Sequence, residues 1–152
     1  SLNRPGSMSD PLKQGLHRQA TEAAAKRADL LAILEEERDT LSASEAELES
    51  VADDLETMNE QPLASRSYGD LQTIFGRLGE LSSRIDRVAR TRQRAIHDHT
   101  RTLTWNREAV TLQEYLYGES SPTYPVLDAT VRLDRLVTRA RSRVSQALWS
   151  RA

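Results

Sequence analysis

Apolar residues return at three- and four-residue intervals in three long stretches of this chain, and no stretch alternates apolar and polar residues as a strand would. The pattern predicts an all-α protein. The first stripe runs through Leu12, Leu16, Ala20, Ala23, Leu30, Leu34, Leu41, Leu48, Ala52, Leu55 and Met58, and predicts a helix over 11–58. Asp10 is suited to be its N-cap and Pro11 to its first position, where proline's missing N–H is not needed. At 1.5 Å per residue such a helix is about 70 Å long. Ser42-x-x-Glu45 and Ser44-x-x-Glu47 resemble capping boxes that would restart a helix, which leaves a kink or break at 40–44 open.

After Asn59-Glu60-Gln61-Pro62, the residues Leu71, Ile74, Leu78, Leu81, Ile85 and Val88 alternate by three and four, predicting a second helix over 68–117 that ends at Gly118. Its register is expected to slip beyond Val88. Arg92 and His99 fall at the next seam positions, while Ile96, Leu103 and Val110 take over at seven-residue intervals. Past Ser121-Pro122-Thr123-Tyr124-Pro125, the run Val126, Thr130, Leu133, Val137, Ala140, Val144, Ala147 predicts a third helix over 125–150. Ala129 and Leu136 widen that stripe enough to meet two helices.

Two long helices joined by a short loop must run antiparallel. The expected architecture is therefore a coiled-coil-like helical hairpin with a C-terminal third helix packed on one half, a three-helix bundle in a single domain over 8–152. Residues 1–7 read as a vector remnant with a Gly-Ser junction before Met8. A short link from helix 2 to helix 3 would put helix 3 on the half holding the start of helix 1 and the end of helix 2. The half nearest the hairpin turn would then lie uncovered. Its apolar residues Leu48, Val51, Leu55, Met58, Leu71, Ile74, Phe75 and Leu78 are thus the candidate self-association surface.

Composition narrows the chemistry. With no cysteine the chain can form no disulfide, thiolate nucleophile or Cys-ligated metal site. No run of 18 uncharged apolar residues suggests a membrane span, and no signal peptide is read, so the expected setting is cytoplasmic. Two lysines stand against 19 arginines, a skew that a GC-rich coding bias produces without functional demand. His97-Asp98-His99 is the one local histidine cluster, but residues two apart on a helix point to opposite sides and cannot close on one metal. No glycine-rich phosphate loop, metalloprotease motif or nucleophile elbow occurs. Gly76 and Gly79, inside a helical stretch, are expected to permit close helix approach. Neither an enzyme nor a cofactor is expected.

The formal charge of −2 hides a separation. Residues 35–60 hold eleven acids against Arg38, and from Arg84 onward 13 arginines face seven acids. In a hairpin the two blocks meet and set register more than stability. Arg132, Arg135, Arg139 and Arg143 lie on one flank of helix 3 without an acid block opposite, and form the candidate nucleic-acid row. Against that use, the overall pI is near 5.9 and no aromatic residue interleaves with the row.

Trp105, Tyr115, Tyr117, Tyr124 and Pro125 gather around the link between helices 2 and 3, the candidate structural corner. At Tyr115-Leu116-Tyr117-Gly118, Thr123-Tyr124-Pro125-Val126-Leu127 and Arg132-Leu133-Asp134-Arg135-Leu136 the chain resembles a family of uncharacterised haloarchaeal helical proteins. The resemblance implies an archaeal, cytoplasmic setting and no catalytic residues. Taken together, the expectation is a non-enzymatic helical interaction protein that forms a homo-oligomer or binds a helical protein partner, with no membrane and no metal. The alternative is a DNA-binding regulatory protein that uses the arginine-rich faces.

Overall fold

A computed structural model describes residues 9–103 and 124–152. Helix α1 spans Asp10–Asn59, a short 3-10 helix spans Leu63–Ser65, α2 spans Tyr68–Leu103 and α3 spans Pro125–Trp149. Among the described residues all regular structure is helical. The vector-remnant reading of 1–7 and the stretch of helix 2 expected over 104–117 lie outside the described residues. By its internal packing the chain divides into two units, 1–38 and 39–152.

Within residues 39–152, α2 is the central element: the last part of α1 and all of α3 pack against it. Val51 and Leu55 of α1, Leu71, Ile74, Leu78, Leu81 and Ile85 of α2, and Val137 and Val144 of α3 form one buried cluster. Leu48, Val88 and Val126 close a smaller one beside it. Leu71, Val51 and Val137 are fully enclosed, and burying a Val, Leu or Ile side chain contributes about 1.5–3 kcal/mol. The alternation read from the sequence is thus the seam that the helices share.

The turn between α1 and α2 is held by side chains where the backbone runs out of partners. Pro62 adopts φ −60°, ψ 140° and ends α1's continuation. The Arg66 guanidinium donates from Nη2 to the Met58 carbonyl at 2.7 Å, satisfying one of the orphan acceptors in α1's last turn. The Ser65 hydroxyl donates to the Pro62 carbonyl at 2.8 Å. Ser67 then caps α2, its Oγ accepting from the Asp70 N–H at 3.1 Å. At the start of α1 the Lys13 N–H donates to the Ser9 carbonyl, so Ser9 rather than Asp10 is the capping residue and Pro11 sits one position inside.

The structure decides three points. The helix does not break at 40–44: α1 is continuous there, and Ser44 is buried in the seam instead of starting a new helix. Among the described residues, as far as His99, the α2 register does not slip either, because Arg92 and His99 are both buried at the seam positions they follow by spacing, and neither is without a partner; Val110 lies outside the described residues. The third point concerns α3. Its C-terminal end lies at the hairpin turn, where Arg151 Nη2 donates to the carbonyls of Leu63 and Ala64 at 2.9 and 3.0 Å. Its N-terminal end is level with Val88, about 22 Å along α2 from Leu103. It therefore runs parallel to α1 and covers the half of the hairpin that the sequence reading left bare.

The reason lies in the seam itself. Between Leu71 and Val88 every a/d position of α2 is a large aliphatic residue, whereas the next ones are Arg92, the small Ala95 and His99. An amphipathic helix gains most by lying where the apolar seam is unbroken.

The other unit holds the first part of α1. Every residue from 10 to 32 is exposed, including Leu12, Leu16, Leu30 and Leu31, while Ile33 and Glu37 are buried. Gly76 has no atom within 4 Å of the position a Cβ would take, and Gly79 meets only the Arg141 guanidinium at ordinary contact distance. Neither glycine is demanded by close helix packing, contrary to the reading of the sequence.

Leu78→Ala should lower the unfolding free energy by about 2–5 kcal/mol through lost burial and the cavity left behind. Leu31→Ala, on the exposed stretch, should change it by no more than about 0.5 kcal/mol. Urea denaturation followed by circular dichroism measures both, and equal losses would contradict this account of the core.

Candidate functional site

The face of the bundle opposite α2 is a groove between α1 and α3, about 650 Å³ in volume. Leu41, Leu48 and Ala52 form one wall, and Val126, Leu133 and Leu136 form the other. Glu45 and Glu49 stand on the α1 rim, and Arg132 stands on the α3 rim. Periodicity explains the surface. Val126, Leu133, Val137 and Val144 point α3 at the seam, while Ala129 and Leu136 lie one step around the helix and extend its apolar arc past α2. Leu41, Leu48 and Ala52 do the same on α1. Leu136, 49% exposed, keeps the α3 wall of the groove open to solvent at its mouth.

Of the candidate self-association residues, Val51, Leu55, Leu71, Ile74 and Leu78 are core, and Met58 and Phe75 pack half-buried against them. The Arg141 guanidinium lies over the Phe75 ring, 4.7 Å from its centroid. Only Leu48 among the eight lines the groove. The surface expected near the turn is consequently closed by α3, and the accessible apolar surface lies on the outer side of α1 and α3. The signal for it was present in Ala129 and Leu136, which widen the third stripe beyond what one neighbour can cover.

Arg132, Arg135, Arg139 and Arg143 are all exposed along one flank of α3. Arg132 Nε is 2.8 Å from the Asp128 carboxylate one turn earlier, an ion pair within the helix. At the candidate corner, Tyr124 is exposed and Pro125 is half-buried at the end of the groove. Trp105, Tyr115 and Tyr117 lie outside the described residues.

The charge blocks of α1 and α2 meet at Arg84. Its guanidinium donates to Glu47 at 2.7 Å, to Asp54 at 2.7 Å and to Ser50 at 2.9 Å, so one side chain joins three successive turns of α1. The hydrogen bond to Glu47, followed by that to Asp54, holds the guanidinium pKa above its ordinary value. Nearby, Asp39, Glu47, Arg84 and Arg87 line a common cleft. Arg84 thus belongs to the hairpin register. Among the described residues no group of three or more metal-binding side chains assembles, and no helix is long and apolar enough to cross a membrane.

Because both carboxylates stay partly exposed, Arg84→Met should cost only about 1 kcal/mol of stability in dilute buffer. Most of that loss should vanish near about 1 M salt, where charges are screened beyond about 3 Å. Urea titrations at both salt levels test this, and a loss independent of salt would assign Arg84 a packing role instead.

Comparison with curated proteins found no match, and neither did comparison with solved structures. A family model does match over residues 1–141, nearly the whole hairpin and most of α3. That match indicates no catalytic family, and it agrees with the resemblance to uncharacterised helical proteins. By that match the chain belongs to the family described as Domain of unknown function (DUF7260).

Proposed function

We propose that the chain is a non-enzymatic helical interaction protein whose working surface is the groove between α1 and α3. The observation that carries this reading is the groove's chemistry: aliphatic walls, charge on the rims and a mouth at Leu136 open to water. Apolar grooves of this kind receive the apolar face of an amphipathic helix, read through residues spaced by three and four. A fourth helix there would turn the three-helix bundle into a four-helix one. The near absence of lysine is consistent with a haloarchaeal source, and a fold without cysteine does not depend on an oxidising compartment, in keeping with a cytoplasmic setting.

The chain has no cysteine of its own, so Leu136→Cys carries a single environment-sensitive fluorophore at the groove mouth. Its emission should shift to the blue when the groove is occupied, either with rising protein concentration or on adding extract of the source cells. Emission that stays at the value of water-exposed dye under both conditions would refute the reading.

The alternative reading, regulatory DNA binding, is favoured by the exposure of the row Arg132, Arg135, Arg139 and Arg143. It predicts binding to duplex DNA that weakens steeply with salt, by about one power of salt concentration per phosphate contacted. Fluorescence anisotropy over a salt series, repeated with the four arginines changed to Ala, decides it. No binding at low salt, or binding the quadruple variant retains, would remove this alternative.

A further inference from the structure

We infer that the helix received by this groove is a basic amphipathic one from another protein, its Lys and Arg flank lying along Glu45, Glu49 and Glu56 of α1. The inference rests on the groove being a helix-docking surface and adds the chemistry of the partner. It starts from the two sides of α1 within residues 39–59. On one side Glu47 and Asp54 both bond Arg84. On the groove side Glu45, Glu49 and Glu56 are exposed, and among the described residues none of these carboxylates meets a basic side chain. The acidic block read from the sequence is thus split by the fold into carboxylates engaged in the hairpin and carboxylates left beside an apolar groove.

On the opposite rim Arg132 has its counter-charge within α3, its Nε 2.8 Å from the Asp128 carboxylate. Arg135 and Arg139 do not line the groove. The lining charge that lacks a partner is therefore acidic. Glu45 and Glu49 stand four residues apart on one helix, a spacing at which like charges destabilise it, and a basic partner relieves that repulsion. Glu56 lies eleven residues from Glu45, three turns on, and extends the row.

The dimensions set the partner's pattern. The groove follows α1 from Leu41 to Ala52, about 17 Å at 1.5 Å per residue, and so takes three turns of a helix. Glu45 to Glu56 covers the same rise. Apolar anchors at i, i+4, i+7 and i+11 reach the walls, and one flank of the docked helix lies over the α1 rim. Basic residues on that flank meet the row, whereas acidic ones set like charges together where water is partly excluded. A single basic flank suffices, because reversing a helix exchanges its flanks. Within residues 39–152, α2 and α3 already bury their apolar faces in the seam, so neither supplies this helix to a second copy.

Fluorescence anisotropy of three labelled helical peptides of about 16 residues, long enough for the groove, tests this on the full chain. The first carries leucines at i, i+4, i+7 and i+11, with lysines on one flank and glutamines on the other. The second has glutamates in place of the lysines, and the third scrambles the order of the first. The lysine peptide should bind, and the other two should bind at least about tenfold more weakly. Glu45→Lys combined with Glu49→Lys should reverse the preference between the charged peptides, and Leu136→Glu should weaken binding of the lysine peptide. All three positions are exposed, so helicity by circular dichroism should be unchanged. No binding of the lysine peptide up to about 1 mM, equal binding of either control peptide, or a preference the double variant does not reverse would overturn the inference. A mass in sedimentation equilibrium that rises above 17.1 kDa and falls back with Leu136→Glu would assign the groove to a second copy and overturn it too. If lysine and glutamate peptides bind alike and both shift the Leu136→Cys fluorophore to the blue, the basic-partner assignment fails while the interaction reading stands. If the fluorophore is already blue-shifted in dilute protein alone, the chain fills its own groove and both fail.

Discussion

The packing of α3 on the aliphatic half of the α1/α2 hairpin is the constraint from which the rest of this structure follows. Val137 and Val144 enter the seam formed by Leu71 to Ile85 and by Val51 and Leu55, and Arg151 fastens the end of α3 to the turn. Burial on this scale outweighs the modest worth of any single ion pair on the surface. It also decides which surfaces remain open. Once α3 faces α2, Ala129 and Leu133 pack only partly into the seam and Leu136 stays half exposed beside α1, and the groove is the result.

Polar residues in the seam act as a boundary. Beyond Val88 the a/d positions of α2 are Arg92, the small Ala95 and His99, and Ser44 occupies the corresponding stretch of α1. Buried polar groups need partners and cannot reward a third apolar helix as leucine does. The hairpin is therefore divided by chemistry, with an aliphatic portion that takes α3 and a polar portion that does not. The charge separation along the chain plays a different part. Arg84 spreads its hydrogen bonds over Glu47, Ser50 and Asp54, tying the hairpin's register to three turns of α1 at small energetic gain.

Much of the architecture was legible in the spacing of apolar residues, because a helix that buries one face writes that face at intervals of three and four. The three helices, the turn at Pro62 and the start of α3 at Pro125 all follow from such local signals. The seam was legible too, even where it seemed to fail. Arg92 and His99 looked like a break in register because side-chain polarity was taken as a sign of exposure, whereas position in the repeat was the better guide. The groove was half legible: the wide stripe of α3 announced a second neighbour without saying that its place is empty.

By itself the sequence determined the helices, their antiparallel hairpin and the faces they bury, since these depend on periodicity and on caps and breakers within a few residues. Which half of the hairpin receives the third helix was decided only in three dimensions. The choice rests on comparing two seams that are far apart in sequence from the helix that covers one of them. The same comparison moved the accessible apolar surface from the hairpin's turn half to the outer side of α1 and α3. Local spacing can say that a residue is apolar and faces inward on its own helix, but whether another helix lies there depends on the packing of all three.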